Sequence, residues 1–352
     1  MSFSKTKQAL ATLVQQKAAP GISYAIISPA GIEKKAIGKK SLVPAEEPLL
    51  LTESPIYDVA SLTKVIATTS RILQLLENEQ LTFETSISQW LADFRYPEVT
   101  VLDLLIHASG LAKNIPGFPM HDARDVRRYV MATPQIEPVR QRIEYSDANF
   151  LLLGYLIEVI DRMPYEESIQ QHILTPLKMT ASSFYRTDPL KAIPTEWDAN
   201  RGLIRGVVHD FKAFTAGGNT GHAGLFAPLD DLLQYAQAIL FPKNHPFLKP
   251  ETLNRMSHNY TAALNRDRGL GFDLRPTFFG DFALYHTGFT GTFIVLDQKR
   301  KSGLIVLSNR VHPTRKNEIF NQAREQIADL FLQEVANFKI KMELDDSQKT
   351  SK

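Results

Sequence analysis

Cysteine is absent from all 352 residues. That excludes disulfide bonds, thiolate metal sites and a cysteine nucleophile, and it is compatible with a cytoplasmic location. No apolar run approaches the ~18 residues needed to cross a bilayer. Near the start, Gln15, Gln16 and Lys17 interrupt the apolar stretch, so no secretory h-region is seen. A cytoplasmic protein without a membrane segment is the expectation. Neither sign of charge is in excess: 40 Lys and Arg against 38 Asp and Glu leave +2, with no basic stripe. Nucleic acid is therefore not an expected partner. The nine histidines lack His-Glu-x-x-His or similar ligand spacing, so neither metal nor cofactor is expected. Gly-x-Ser-x-Gly is missing too, since Gly21-Ile22-Ser23-Tyr24-Ala25 fails at its last position, which argues against an α/β-hydrolase elbow. The glycine-rich run from Gly217 to Gly224 has no Lys-Ser/Thr ending, so it is not a phosphate loop. Internal repeats and low-complexity segments are absent as well.

What is present is ordinary globular material, 43% hydrophobic and 22% charged, enough for one large domain or two coupled ones. Leu10, Leu13 and Val14 mark an amphipathic opening helix from about Ser4 to Lys17. Gly21 to Ser28 and Ile32 to Gly38 read as a hairpin about Pro29-Ala30-Gly31. A helix beginning at Ser61 is apolar on several faces and is expected to be central. Helices dominate the middle: a capping-box start at Thr100-Val101-Leu102-Asp103, an apolar helix from Asn149 to Ile160, one near Tyr165–Ile173, and one from Pro228 to Leu240. Gly291 to Asp297 and Gly303 to Ser308 read as strands joined by a basic turn, followed by a long helix from about Arg315 to Phe338. The order predicts an α+β fold: an antiparallel sheet built from both termini, flanked by helices, with a mostly helical inserted subdomain. The expected boundaries are 1–80 plus 265–340 for the sheet subdomain and 81–264 for the helical one, with 341–352 a polar, frayed tail.

The chemistry starts at Ser61-Leu62-Thr63-Lys64. Ser61 falls at the first turn of a helix, among amides with no partner inside it. Lys64, three residues on, projects over the same face. Burial pushes an amine toward its neutral form, in which it takes the serine's proton and makes it a nucleophile. Taken alone the motif is also that of a helix N-cap, and Ser-x-x-Lys recurs at Ser2/Lys5 and Ser4/Lys7. Two further segments add weight. Tyr145-Ser146-Asp147 is the only Tyr-x-Asp or Tyr-x-Asn among 11 tyrosines. His286-Thr287-Gly288 precedes Phe289-Thr290-Gly291 and a strand. Singly, Tyr145 reads as a buried hydroxyl and His286 as a satisfied strand-end histidine; the ordered set of three points to a site.

With these three motifs, and with Leu104-Leu105-Ile106-His107-Ala108-Ser109-Gly110-Leu111 and Gly221-His222-Ala223-Gly224-Leu225-Phe226, the chain resembles the class C β-lactamase, D-alanyl peptidase and esterase family of serine hydrolases from about residue 20 to 335. The resemblance implies that Ser61 is the acylated nucleophile, Lys64 its proton partner and Tyr145 a second acid/base. It also implies an oxyanion hole from the Ser61 and Phe289 amides. His286, Thr287 and Gly288 would be a strand edge for an extended substrate, with Asp147, Gly221 and His222 alongside; His107-Ala108-Ser109-Gly110 is read as a turn. Two departures stand out. Many β-lactamases of the family have Lys where His286 stands, and a histidine there titrates near neutrality. Asp147 replaces a common Asn, and a carboxylate pairing with Lys64 opposes its use as a base. The implied substrate is a small ester, amide or β-lactam-like molecule. An esterase is the first reading, a D-alanyl-D-alanine peptidase or weak β-lactamase the second, and a non-catalytic ligand-binding or sensor domain the third.

Overall fold

A computed structural model describes residues 3–184, 187–245 and 247–350, with side chains as far as residue 341. Ser2 of the Ser2/Lys5 motif and the last two tail residues therefore lie outside the described residues. In chain order, helix α1 (Ser4–Gln15) leads into strands β1 (Gly21–Ser28), β2 (Gly31–Ser41) and β3 (Glu47–Pro48), then β4 (Tyr57–Asp58) and α2 (Ser70–Glu77). The middle holds α3 (Val101–Leu105), α4 (Ala123–Ala132), α5 (Asp147–Asp161) and α6 (Tyr165–Ile169), then β5 (Trp197–Asp198) and β6 (Gly202–Leu203). After α7 (Phe211–Thr215), β7 (Phe226–Ala227), α8 (Leu229–Leu240) and α9 (Pro250–Met256) come β8 (Asp273–Pro276), β9 (Phe282–Thr287), β10 (Phe293–Asp297), β11 (Ser302–Ser308) and α10 (Ile319–Thr350).

The main sheet has seven strands in the order β3-β2-β1-β11-β10-β9-β8, every named pairing antiparallel. Its halves come from opposite ends of the chain and meet where Tyr24 pairs with Val306. Successive side chains of a strand point to opposite faces, so β1 sends Ile22, Tyr24 and Ile26 toward α1 and α10, and Ala25 and Ile27 toward the inserted helices. The same alternation splits β11 into Leu304 and Val306 on one side, Ile305 and Leu307 on the other. Both faces are covered, which explains why these strands read as continuous apolar runs rather than alternating ones.

Three boundaries differ from the sequence reading. The opening hairpin runs to Ser41 because β3 pairs with the end of β2. The helix expected near Tyr165–Ile173 divides into α6 and a π-helical stretch, Gln170–Leu174. The final helix starts at Ile319, later than expected, and its backbone stays helical to Thr350, through most of the stretch expected to fray. The capping box at Thr100 forms with its aspartate: the Asp103 carboxylate accepts from the Thr100 amide at 2.9 Å. No helix among the described residues is long and apolar enough to cross a membrane.

Candidate active site

The short strand β4 pairs with β7 and delivers the chain to Ala60, whose φ of +50° is a left-handed, strained conformation for a residue with a Cβ. Asp58 holds that turn. Its buried carboxylate accepts from the Ala60 amide at 2.9 Å and from the His209 amide at 2.7 Å. Thr290 and Thr292 clamp the same segment from the loop after β9, donating to the carbonyls of Asp58 and Val59 at 2.9 and 3.0 Å. Gly288 makes this closeness possible, since a Cβ there would lie 2.1 Å from Thr292 Oγ1 and 2.7 Å from the Val59 carbonyl. The Ser61 turn and the Phe289 loop are thereby fixed against each other. Among the described residues, neither the Ser61 nor the Phe289 amide donates to another protein group. A cleft of about 380 Å³, lined by Ala60, Ser61, Arg201, Phe211 and Phe289 among others, opens at this point.

Beyond Ser61 the helix widens into a π-helical stretch, Lys64–Thr69, before narrowing to α2. Such bulges occur often at functional sites. Lys64 is fully buried, and its Nζ has three partners at 3.0 Å: Ser61 Oγ, Asp147 Oδ1 and the His222 carbonyl. The last two are pure acceptors here, so they take two N–H groups. The remaining tetrahedral direction points at Ser61 Oγ and carries either a proton toward it or a lone pair that receives one. Burial alone lowers the amine's proton affinity, but the charge of Asp147 and the neighbouring Tyr145 override it and raise the Lys64 pKa above its ordinary value. The expectation that burial would neutralise Lys64 is corrected by this carboxylate.

Tyr145 lies half-buried just before α5, its ring centroid 5.1 Å from Lys64 Nζ. His107 packs beneath it with ring centroids 4.4 Å apart. The His107 Nδ1 accepts from the Asn149 side chain at 2.9 Å and the Ser146 amide at 3.3 Å, while Ser109 Oγ donates at 2.7 Å to Asn149 Oδ1 and fixes that amide's orientation. His107-Ala108-Ser109-Gly110 does form a turn, with His107 at φ +57°. It is also the cradle of the Tyr145-Ser146-Asp147 segment, a role the sequence reading missed.

His286 shares the inner face of β9 with Leu284, by the same two-residue period. It is buried between the rings of Tyr145 and Phe272, each centroid 6.3 Å away, and neither ring nitrogen has a hydrogen-bond partner among the described residues. Burial first, and then the Arg268 guanidinium, push its pKa down to about 3. The expectation of titration near neutrality is corrected: this imidazole is neutral throughout the physiological range. Thr287 continues past the end of β8, whose pairing stops at Asp273 opposite Tyr285, so no strand covers β9 there. Gly288 is not the free edge expected of it: its amide donates to the Thr292 carbonyl at 2.6 Å and its carbonyl accepts from Arg324 at 3.2 Å.

Asp147 is gripped twice, by Lys64 on Oδ1 and by Lys212 on Oδ2, both at 3.0 Å. Burial alone would raise its pKa; the charges of Lys64, His222 and Lys212 hold it well below the usual carboxylate range. His222 is buried, bonded through Nδ1 to Thr220 and through Nε2 to Asp210, each at 2.9 Å. Only its carbonyl reaches the site, where it orients Lys64. Gly221 is displaced further: it packs against the backbone of α5, where an added Cβ would lie 2.1 Å from the Phe150 carbonyl. Neither residue is placed to touch substrate as expected. Asp147, Asp210 and His222 bring ligand atoms within 4.8 Å of one another. Both Asp147 oxygens already face ammonium groups and both His222 nitrogens are bonded, so the cluster does not suit a cation.

The model of the family described as Beta-lactamase matches residues 6–329. The chain belongs to the Beta-lactamase family. It is a serine hydrolase of that family, with the β-lactamase/transpeptidase-like fold. A putative D-alanyl-D-alanine carboxypeptidase of Escherichia coli (strain K12) is 27% identical over 339 residues, covering 80% of this chain and 76% of the relative. Among solved structures, EstCE1, a hydrolase with promiscuous acyltransferase activity, superposes with TM-score 0.75 at 18% identity, covering 94% of this chain and 98% of that one. A class C β-lactamase superposes with TM-score 0.73 at 19% identity, covering 95% and 97%.

Proposed function

We propose that this member of the Beta-lactamase family hydrolyses small esters or amides through an acyl-enzyme on Ser61. The observation that carries the reading is the fixation of Lys64 Nζ by Asp147 and the His222 carbonyl, which leaves one direction aimed at Ser61 Oγ. In its free-base form Lys64 takes the hydroxyl proton as Oγ bonds to the substrate's carbonyl carbon. The carbonyl oxygen, now anionic, is met by the amides of Ser61 and Phe289, each such donor contributing ~2.7–4 kcal/mol to the transition state. The tetrahedral centre then collapses and the bond to the leaving group breaks. Tyr145, beside Lys64, passes the proton to the departing oxygen or nitrogen. Water repeats the sequence in reverse roles, so that the acid is released and Ser61 regains its proton.

The neutral His286 itself supplies no charge to an anionic substrate group; the cations beside that motif are Arg324, which donates to the Gly288 carbonyl at 3.2 Å, and Arg310, 4.8 Å above the Phe289 ring. A second reading, a D-alanyl carboxypeptidase, is favoured by the name of the E. coli relative and by the end of β9 at Thr287, which β8 does not cover and where an extended peptide would add as a strand. A panel of p-nitrophenyl acetate, a D-alanyl-D-alanine tripeptide and a chromogenic cephalosporin separates them. Fast ester turnover with slow peptide release is expected. Peptide release exceeding ester turnover would favour the carboxypeptidase, and turnover of all three at background rate would leave only a binding protein. Every activity observed should vanish in Ser61→Ala.

A further inference from the structure

A carboxylate at position 147 holds Lys64 in the form that cannot accept a proton, and the fold contains a counterweight. Lys212 extends from α7, its side chain 17% exposed, and its Nζ lies 3.0 Å from Asp147 Oδ2, the oxygen that Lys64 does not use. The two lysines thus share one carboxylate, an oxygen each. The same short helix is capped by Asp210, which accepts from the Ala213 amide at 2.9 Å and from His222 at 2.9 Å. Thr220 Oγ1 spends its single proton on the Ala223 carbonyl, so it accepts from His222 Nδ1. Asp210 is thus engaged by His222, whereas Asp147 stands between the two ammonium groups.

We propose that Lys212 is a positioning residue that sets the proton affinity of Lys64 by taking up half of the Asp147 charge. The proposal rests on the reading of Lys64 as the proton acceptor of Ser61. No sequence motif contains Lys212, and no hydrogen bond links it to Ser61 or Lys64 among the described residues; its action runs through Asp147. Removing its charge leaves the whole carboxylate to Lys64, which then holds its proton to higher pH. The other groups facing Lys64 are Tyr145, the neutral rings of His107 and His286, and behind them Arg268. On the Asp147 side stand His222 and Asp210. None of these occupies the Asp147 oxygen that Lys212 does. Burial lowers the proton affinity of Lys212 itself, but the charges of Asp147 and Asp210 raise it above the ordinary value, so it stays a cation wherever the enzyme is assayed.

The test is the acidic limb of the pH profile of kcat/KM for an ester, measured on the full chain. Lys212→Met should move that limb to higher pH by roughly one unit, a loss of about tenfold at pH 7. Lys212→Arg, which keeps the charge, should restore it. In an Asp147→Asn background the shift from Lys212→Met should fall to less than half. An unmoved limb in Lys212→Met overturns the proposal, as does a shift of equal size without Asp147. Should Lys212→Met not fold, Lys212→Gln is judged by the same limb. Ser61→Ala, run alongside, keeps the two readings apart: activity that survives it refutes the nucleophile, whereas an unmoved limb with Ser61-dependent activity refutes only the role of Lys212.

Discussion

Burying His286 as a neutral ring with no hydrogen-bond partner among the described residues should make the protein sensitive to acid, and the size of the effect follows from the structure. Its pKa falls from 6.5 to about 3, first through burial and then through the Arg268 guanidinium, against partial relief from Asp273. A histidine whose folded pKa is depressed contributes full stability above the unfolded value and loses it as pH falls from 6.5 toward the folded one. At about pH 4.5 the unfolded chain has bound a proton at position 286 and the folded chain has not. With roughly 1.4 kcal/mol per unit, the drop between pH 7 and pH 4.5 costs about 2–3 kcal/mol at this residue alone. His107, also fully buried and with its pKa lowered well below the ordinary value, acts in the same direction. The assay is urea unfolding at both pH values for the parent protein and for His286→Gln. Only the difference in pH dependence matters, so any constant loss from the substitution cancels. The variant should lose about 2–3 kcal/mol less than the parent on acidification. Equal pH dependence in the two proteins would refute the neutral, buried assignment.

Two further outcomes concern the reaction. Asp147→Asn removes the charge that raises the Lys64 pKa, so the acidic limb of kcat/KM should move to lower pH and the rate at neutrality should rise by roughly tenfold or more; an unchanged or higher limb would show that Lys64 is not the group titrating. Gly288→Ala should push apart the Phe289 loop and the Ser61 turn, because the new Cβ overlaps Thr292 Oγ1 and the Val59 carbonyl. A fall of about 10²–10³ in kcat is expected from a misplaced oxyanion donor, and a kcat near the parent value in a folded variant would exclude Phe289 from that role.

The sequence made some of this legible and hid the rest for definite reasons. Ser61 and Lys64 were visible because they are three residues apart on one helix, so local geometry brings them together. The strands around Tyr24 and Val306 were visible through their length and branched side chains, although their pairing crosses nearly the whole chain. Tyr145 and His286 emerged as motif residues, but their surroundings did not. The neutrality of His286 comes first from burial and then from Arg268, and pattern alone shows neither. The charge on Lys64 turned on whether burial or Asp147 prevails, a balance that only geometry settles. Lys212 stands outside every motif and matters through a carboxylate 65 positions away, as the numbers of the two residues show. His107 lay inside a noticed segment; its left-handed backbone was readable as a turn, whereas its ring contact with Tyr145 was not. Gly221 and His222 were placed beside the substrate by the resemblance, whereas here Gly221 packs against α5 and the His222 ring bonds inward to Asp210.

The central claim is covalent chemistry at one hydroxyl, and intact-mass spectrometry tests it directly. After brief mixing with an activated ester and quenching in acid, the protein should gain the mass of one acyl group, and peptide mapping should place that group on Ser61. An adduct on any other residue, or ester turnover undiminished in Ser61→Ala, would contradict the account.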